Sequence, residues 1–276
     1  MNCPSGLSPT GPRSGAVARP VVRGAGAAPE AGRDLVAEEV PVALLYNGEP
    51  YAVMLASPID LEDFGVGFSI SEGLVESAAD VVHVAARDTL AGVELHITLR
   101  GKPARMREGG RAMPGYAGCG LCGVRQLEEA VRWPLPVQAQ GRTTPGAVHR
   151  AVDAMSDVQA LHRLTGAAHA AGWFSLDGNL LLVREDIGRH NALDKLIGGI
   201  AGAGLDPAQG MLVMTSRASC ELLQKAGTAG IGIMVAMSAP TALAISIAES
   251  ATITLLGFVR GRQHVIYSHP WRVSEA

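Results

Sequence analysis

From residue 168 to residue 267, short apolar runs alternate with helix-patterned segments, and this rhythm constrains the fold more than any other feature of the chain. Residues 168–175 and 180–185 read as strands around a turn at Asp177-Gly178, and 189–200 as a helix with Leu193, Leu196, Ile197 and Ile200 on one stripe. A continuous apolar strand at 211–215, a helix at 219–226, a strand at 231–236, a helix at 241–249 and strands at 252–259 and 265–267 follow. Alternation of this kind predicts an α/β domain with a largely parallel sheet covered by helices on both faces. Residues 226–248 are uncharged for long enough to span a bilayer on paper. Pro240 near their middle, and the change from β-type to helix-type residues around it, favour strand, loop and helix instead.

The preceding region has a different pattern. Residues 40–46 and 51–57 flank Asn47-Gly48, a hairpin signal. Ser57-Pro58-Ile59-Asp60 reads as a helix start, Leu61, Phe64 and Phe68 as its apolar stripe, and Gly73 as its stop. Val93, Leu95, Ile97 and Leu99 alternate with Glu94, His96 and Thr98, which places His96 on the solvent face of a strand. Residues 34–112 are therefore expected to form a small α+β domain and 113–276 the α/β domain that carries the cysteine loop. Residues 1–33, rich in Pro and Gly and without an apolar secretory core, are expected to be a flexible tail. Residues 100–118, with Arg100, Lys102, Arg105, Arg107 and Arg111 against Glu108, read as a mobile basic loop, either a solvated linker or a flap delivering the cysteines after it.

Charge narrows the partners. Twenty-three Lys and Arg against 26 Asp and Glu give a net charge of −3, so no global basic field recruits nucleic acid or a membrane surface, and any anion site must be local. Four cysteines, Cys3, Cys119, Cys122 and Cys220, are too few for a secreted disulfide framework and point to a reducing compartment.

In open α/β sheets ligands gather beyond the carboxyl ends of the strands. Arg189, Arg217, Arg260 and Arg262 all follow predicted strands, and guanidinium forks suit phosphate oxygens, so a phosphate-bearing ligand is expected at a shared rim. The alternative is that some of them pair with Glu185, Glu221 or Glu249. His190 and Asp194 lie one helical turn apart, as a metal-binding or proton-shuttling pair would, although two ligands make no zinc site and support of a loop fits equally. No Walker loop occurs. In Gly118-Cys119-Gly120-Leu121-Cys122-Gly123, an expected helix start and nearby Arg111 and Arg125 favour thiolate. Structural zinc would need two further ligands, and thioredoxin-like exchange would place the pair directly after a strand. Carriage of sulfane sulfur as a persulfide fits a pair on a mobile loop; all three stay open on these residues.

Six segments together resemble the formate dehydrogenase accessory sulfurtransferase (FdhD) family. They are Glu39-Val40-Pro41-Val42-Ala43-Leu44; Ser57-Pro58-Ile59-Asp60-Leu61-Glu62-Asp63-Phe64 with Gly67-Phe68 and Ser71-Glu72-Gly73; the cysteine segment; Glu185-Asp186-Ile187-Gly188-Arg189-His190-Asn191-Ala192-Leu193-Asp194-Lys195; Ser216-Arg217-Ala218-Ser219; and Tyr267-Ser268-His269-Pro270. The resemblance implies a three-layer C-terminal domain of cytidine-deaminase-like fold, a homodimer and a cytoplasmic location. It implies transfer of persulfide sulfur from a cysteine desulfurase to molybdenum bis(molybdopterin guanine dinucleotide), the cofactor of formate dehydrogenase. Cys119 would carry the sulfur and Cys122 would assist or resolve it. Phe258, Val259, Arg260, Gly261, Arg262 and Gln263 match the cofactor-binding stretch, to which the strand-end reasoning adds Arg189, His190 and Arg217; no resident metal is implied. A zinc deaminase is not expected, since Gly118 stands where that chemistry needs proline and none of His83, His96, His149, His162, His169 and His190 begins a His-x-Glu element. The rival reading is a chaperone that binds the cofactor's guanylate ends and docks the dehydrogenase without sulfur chemistry.

Overall fold

Asn47 and Gly48 take φ values of 51° and 89°, the two positive angles a tight hairpin needs, and join β3 (Val40–Tyr46) to β4 (Glu49–Ala56). The structure is a computed structural model and describes residues 13–24, 29–103, 114–115 and 131–274. With β5 (Val81–Thr89), β6 (Gly92–Leu99) and the short β7 (Pro114–Gly115), the hairpin forms a five-stranded sheet in the order β5-β6-β3-β4-β7. Val42, Leu44, Leu95 and Ile97 point to one face, where Leu61, Phe64 and Phe68 of α1 (Leu61–Ser71) cover them. Gly73 closes that helix at φ 65°. Its start differs from expectation: Asp60 is the N-cap, at φ 50° and with no side-chain cap bond, because Ser57 is engaged elsewhere.

The tail expectation needs correction. β1 (Ala16–Arg23) lies inside residues 1–33 and pairs antiparallel over eight residues with β2 (Glu30–Ala37), which crosses the expected boundary; residues 1–12 and 25–28 lie outside the described residues. Pro20 is accommodated because a two-stranded ribbon leaves each strand a free edge. Arg13 anchors the ribbon on Asp88 at 2.7 Å.

The second sheet has the order β13-β12-β11-β10-β8-β9. Its strands are β8 (His169–Ser175), β9 (Leu180–Asp186), β10 (Gly210–Met214), β11 (Ile233–Ala236), β12 (Thr254–Arg260) and β13 (Gln263–Ser268). Only β10, β11 and β12 run parallel; the remaining pairings are antiparallel, so the sheet is mixed rather than largely parallel. The reason is local: short turns at Asp177-Gly178 and Gly261-Arg262 close hairpins where crossover helices were not available.

Strict alternation splits the central strands. Leu212, Met214, Met234, Ala236 and Leu255 face a layer of three helices, α4 (Arg189–Gly202), α5 (Cys220–Thr228) and α6 (Ala242–Ser250). Met211, Val213, Ile233, Val235 and Leu256 face α2 (Pro145–Val158), which Thr144 caps by accepting from Ala147 N and which precedes the short α3 (Ala160–Thr165). The sequence pattern after the cysteines also predicts a helix over 125–132; residues 125–130 lie outside the described residues, and Val131 and Arg132 are not helical. The uncharged 226–248 stretch divides into helix, strand and helix, and no helix among the described residues is long and apolar enough to cross a membrane.

Two glycines join the units. A Cβ on Gly67 of α1 would lie 1.7 Å from the Asp194 carbonyl oxygen of α4, and one on Gly198 of α4 would lie 1.9 Å from the Asp63 carbonyl oxygen. The two helices cross with their backbones in contact, which no side chain at either position would permit.

Candidate functional site

Much of the motif chemistry lies at this junction and is structural. Lys195 and Asp186 have fully buried side chains, 2.7 Å apart. Asp186 also accepts from Ser57 N, Gly188 N and Asn191 Nδ2, while Lys195 donates to the Ser57 carbonyl and Asn191 to the Leu55 carbonyl. The entry of α1 is thereby tied to the entry of α4. One turn along, Lys225 Nζ donates to both oxygens of Asp194 at 2.9 Å, to Glu72 at 2.8 Å and to Ser71. Burial opposes the Lys225 charge, but Asp194 and Glu72 outweigh it and hold the ammonium above its ordinary range. Burial likewise raises Glu72, yet Lys225 and Arg132 outweigh it and hold that carboxyl at about 2. Arg132 donates to both the Glu72 carbonyl and its carboxylate.

The expected His190–Asp194 pair is therefore divided: Asp194 belongs to the lysine, whereas His190 Nε2 lies 3.4 Å from Ser219 Oγ and 3.8 Å from Glu221. Burial keeps His190 low, and the adjacent His190 ring, ahead of the opposing effect of burial, holds Glu221 well below the usual carboxylate range. At 2% exposure His190 supports the loop after β10 rather than facing a ligand. Among the described residues no group of three His, Cys, Asp or Glu could hold a metal ion.

The arginines behave differently. The ends of β9, β10, β11 and β12 and the start of β8 share one edge of the sheet, because β8 runs against its neighbours. Loops along that edge are laced together. His190 approaches Ser219, Ala218 N donates to the Ala239 carbonyl, and Phe258 N donates to the Ser238 carbonyl. Arg189, Arg217, Arg260 and Arg262 follow one another along this line, and none donates a hydrogen bond or forms an ion pair among the described residues. Glu185, offered above as a partner, instead accepts from the backbone of Leu161 and His162. Arg189 Nε is buried without a partner.

Phe258 holds φ 54°, a left-handed conformation rare for a bulky residue, at a register shift between Gly257 and Arg260. The irregularity turns Phe258 outward to 49% exposure and buries Val259 in the core beside α2. Val259 thus leaves the expected cofactor-contacting set, while Arg260, Arg262 and Gln263 remain exposed. Strain of this kind concentrates at functional sites.

Between these groups, where the chain's travel across the sheet reverses between β8 and β10, lies a cleft of about 470 Å³ lined by Gln159, His162, Ala168, His169, Thr215 and Met237. Burial, followed by the charges of Arg189, His162 and His190, holds His169 below its ordinary range, so the cleft wall presents neutral imidazole beside a cation. Sequence reasoning missed this wall because α3 and its flanks carry no motif.

Cys119 and Cys122 lie outside the described residues, as do Arg111 and Arg125. The described positions flanking them both rest on the first unit: β7 pairs with Val53 and Met54, and Arg132 with Glu72. Cys220, the one described cysteine, is pushed up to about 11 by burial and then by Glu221, and stays a thiol at neutral pH.

Comparison with known proteins follows the same lines. A model of the FdhD/NarQ family matches residues 37–274. A "Sulfur carrier protein FdhD" of Bordetella petrii is 50% identical over 242 residues, covering 87% of each chain. One of the same name from Xanthomonas axonopodis pv. citri is 47% identical over 262 residues, covering 95% of this chain and 93% of its own. Among solved structures, a crystal structure described as a formate dehydrogenase accessory protein from Desulfotalea psychrophila superposes with a TM-score of 0.73 at 20% identity, over 94% of this chain and 99% of that one.

Proposed function

This chain belongs to the FdhD/NarQ family, and on that premise we propose that it carries sulfane sulfur on Cys119 from a cysteine desulfurase to molybdenum bis(molybdopterin guanine dinucleotide), the acceptor destined for formate dehydrogenase. The name borne by relatives at 47% and 50% identity supports the carrier role. The single observation in the structure that supports an anionic acceptor is the line of unpartnered arginines beside the strained Phe258. Arg260 and Arg262 would take diphosphate oxygens, and the outward Phe258 ring would stack on a base.

In the proposed chemistry the Cys119 thiolate attacks the outer sulfur of the donor persulfide. One S–S bond forms, another breaks, and the donor leaves as thiolate with no net redox change. Delivery as hydrosulfide consumes two electrons. Cys122 would supply them by attacking the Cys119 sulfur, expelling HS⁻ and leaving a Cys119–Cys122 disulfide for a thiol reductant. The mixed sheet with helices on both faces supports reading the C-terminal unit as cytidine-deaminase-like. The homodimer and the cytoplasmic setting rest on the family resemblance.

Replacing Cys119 by Ala separates this reading from the chaperone alternative. Sulfur transfer requires that formate dehydrogenase maturation be lost while guanosine diphosphate, a stand-in for the cofactor's guanylate end, still binds. Intact maturation by the variant would favour the chaperone.

A further inference from the structure

Two histidines that no motif singles out converge on the exposed arginine turn. β12 and β13 close at the pair Arg260 and Gln263, leaving Gly261 and Arg262 as a two-residue loop with Gly261 at φ 55°. That loop has little support of its own. The register shift before Arg260 interrupts the ladder, and nothing lies within 4 Å of the position a Cβ on Gly261 would occupy. What meets it is His149, on the second turn of α2 and 4% exposed. Its Nδ1 lies 2.6 Å from the Gly261 carbonyl oxygen, and its Nε2 lies 3.0 Å from His264 Nδ1.

The carbonyl can only accept, so His149 Nδ1 carries the hydrogen. Burial, then His264 and Arg262, hold His149 below its ordinary range against the opposing pull of Asp153, so its Nε2 accepts and His264 Nδ1 donates. One neutral ring thus grips the backbone just before Arg262 and the side chain just after Gln263. Val148 and Val152, either side of it on α2, belong to the same core cluster as Leu256 and Val259 of β12.

We propose that His149, backed by His264, is the positioning residue of the Arg260-Gly261-Arg262 turn, fixing the backbone from which both guanidinium groups reach a diphosphate. The proposal rests on the reading that this turn binds the cofactor's phosphates. A buried histidine satisfying a turn carbonyl could serve stability alone. The difference here is what the turn carries: two arginines without partners and, two residues earlier, an exposed aromatic ring in a left-handed backbone. Holding such a turn in advance removes part of the ordering cost of binding.

The test is calorimetric titration of guanosine diphosphate into the full-length protein. Arg260→Ala and Arg262→Ala should each weaken binding about tenfold, as loss of a charge-assisted contact does. His149→Phe, which removes both contacts, should weaken it about five- to tenfold, and adding Arg262→Ala to it should cost less than in the parent because the two act through one turn. His149→Asn, whose amide can donate from the place of Nδ1, should recover binding to within about twofold. Wild-type affinity in His149→Phe alongside weakened arginine variants would overturn the positioning role and leave the phosphate reading standing. Wild-type affinity in both arginine variants would overturn both, and failure of His149→Asn to rescue would also overturn the role. Should His149→Phe not fold, His264→Ala removes the second contact from a half-buried position: a few-fold loss at unchanged melting temperature supports the proposal, and unchanged affinity overturns it.

Discussion

The junction between the two units and the edge of the six-stranded sheet both carry charge, and they use it in opposite ways. At the junction Asp186, Lys195, Asp194 and Lys225 are buried and Glu72 is half-buried, and each finds an oppositely charged partner. Along the edge Arg189, Arg217, Arg260 and Arg262 find no such partner, and Phe258 stands exposed in a strained backbone. Desolvated charges survive only where ion pairs and hydrogen bonds compensate them, so a fully paired cluster reports on folding. Guanidinium groups without partners on a shared edge keep their donors free, as the proposed phosphate-binding role requires. One segment contributes to both regions: Asp186 and Lys195 hold the fold, while Arg189, between them in sequence, follows β9 at the edge.

Four changes probe that contrast, in descending order of expected effect. Lys195→Met should leave Asp186 buried without its counter-charge and lower unfolding free energy by about 3–5 kcal/mol in urea titration. A loss below 1 kcal/mol would place the pair outside the fold's foundations. Acid tests Glu72, whose folded carboxyl titrates at about 2 against 4.5 in the unfolded chain. A depressed carboxylate contributes stability above the unfolded value and loses it as pH falls from 4.5 toward 2, here up to about 3 kcal/mol. Glu72→Gln should flatten that limb of the stability profile. Phe258→Gly should relieve the left-handed strain and raise stability by about 1 kcal/mol while weakening guanosine diphosphate binding, an opposition that a merely structural Phe258 would not show. Finally, Arg260→Ala with Arg262→Ala should move stability by no more than about 0.5 kcal/mol in thermal unfolding. A large stability loss there would erase the distinction between the two regions.

How far this was legible in the sequence follows from the range of the interactions. The Asn47-Gly48 hairpin, the alternating Val93, Leu95, Ile97 and Leu99, and the helix and strand segments from 168 to 267 depend on neighbours along the chain, and the structure contains each within a residue or two of its expected limits. Longer-range pairing was hidden. The ribbon over 16–37 was masked by Pro and Gly, and α2 by the lack of any motif. Ser57 resembled a helix cap but serves Asp186 and Ile187, 129 and 130 residues away. Charge at strand ends singled out the arginines that the structure leaves unpartnered along the edge, yet composition could not tell that Val259 turns inward and Phe258 outward, since a bulge decides it. His149 carried no signal because its partners, Gly261 and His264, lie 112 and 115 residues on.

The most direct trial of the sulfur-carrier account is intact and peptide mass spectrometry of the full-length protein after incubation with a cysteine desulfurase and cysteine. The account requires one added sulfur on Cys119, removed by dithiothreitol and absent from Cys220. A protein that turns over the desulfurase mixture with Cys119 unmodified, or that gains the sulfur only on Cys220, would contradict it.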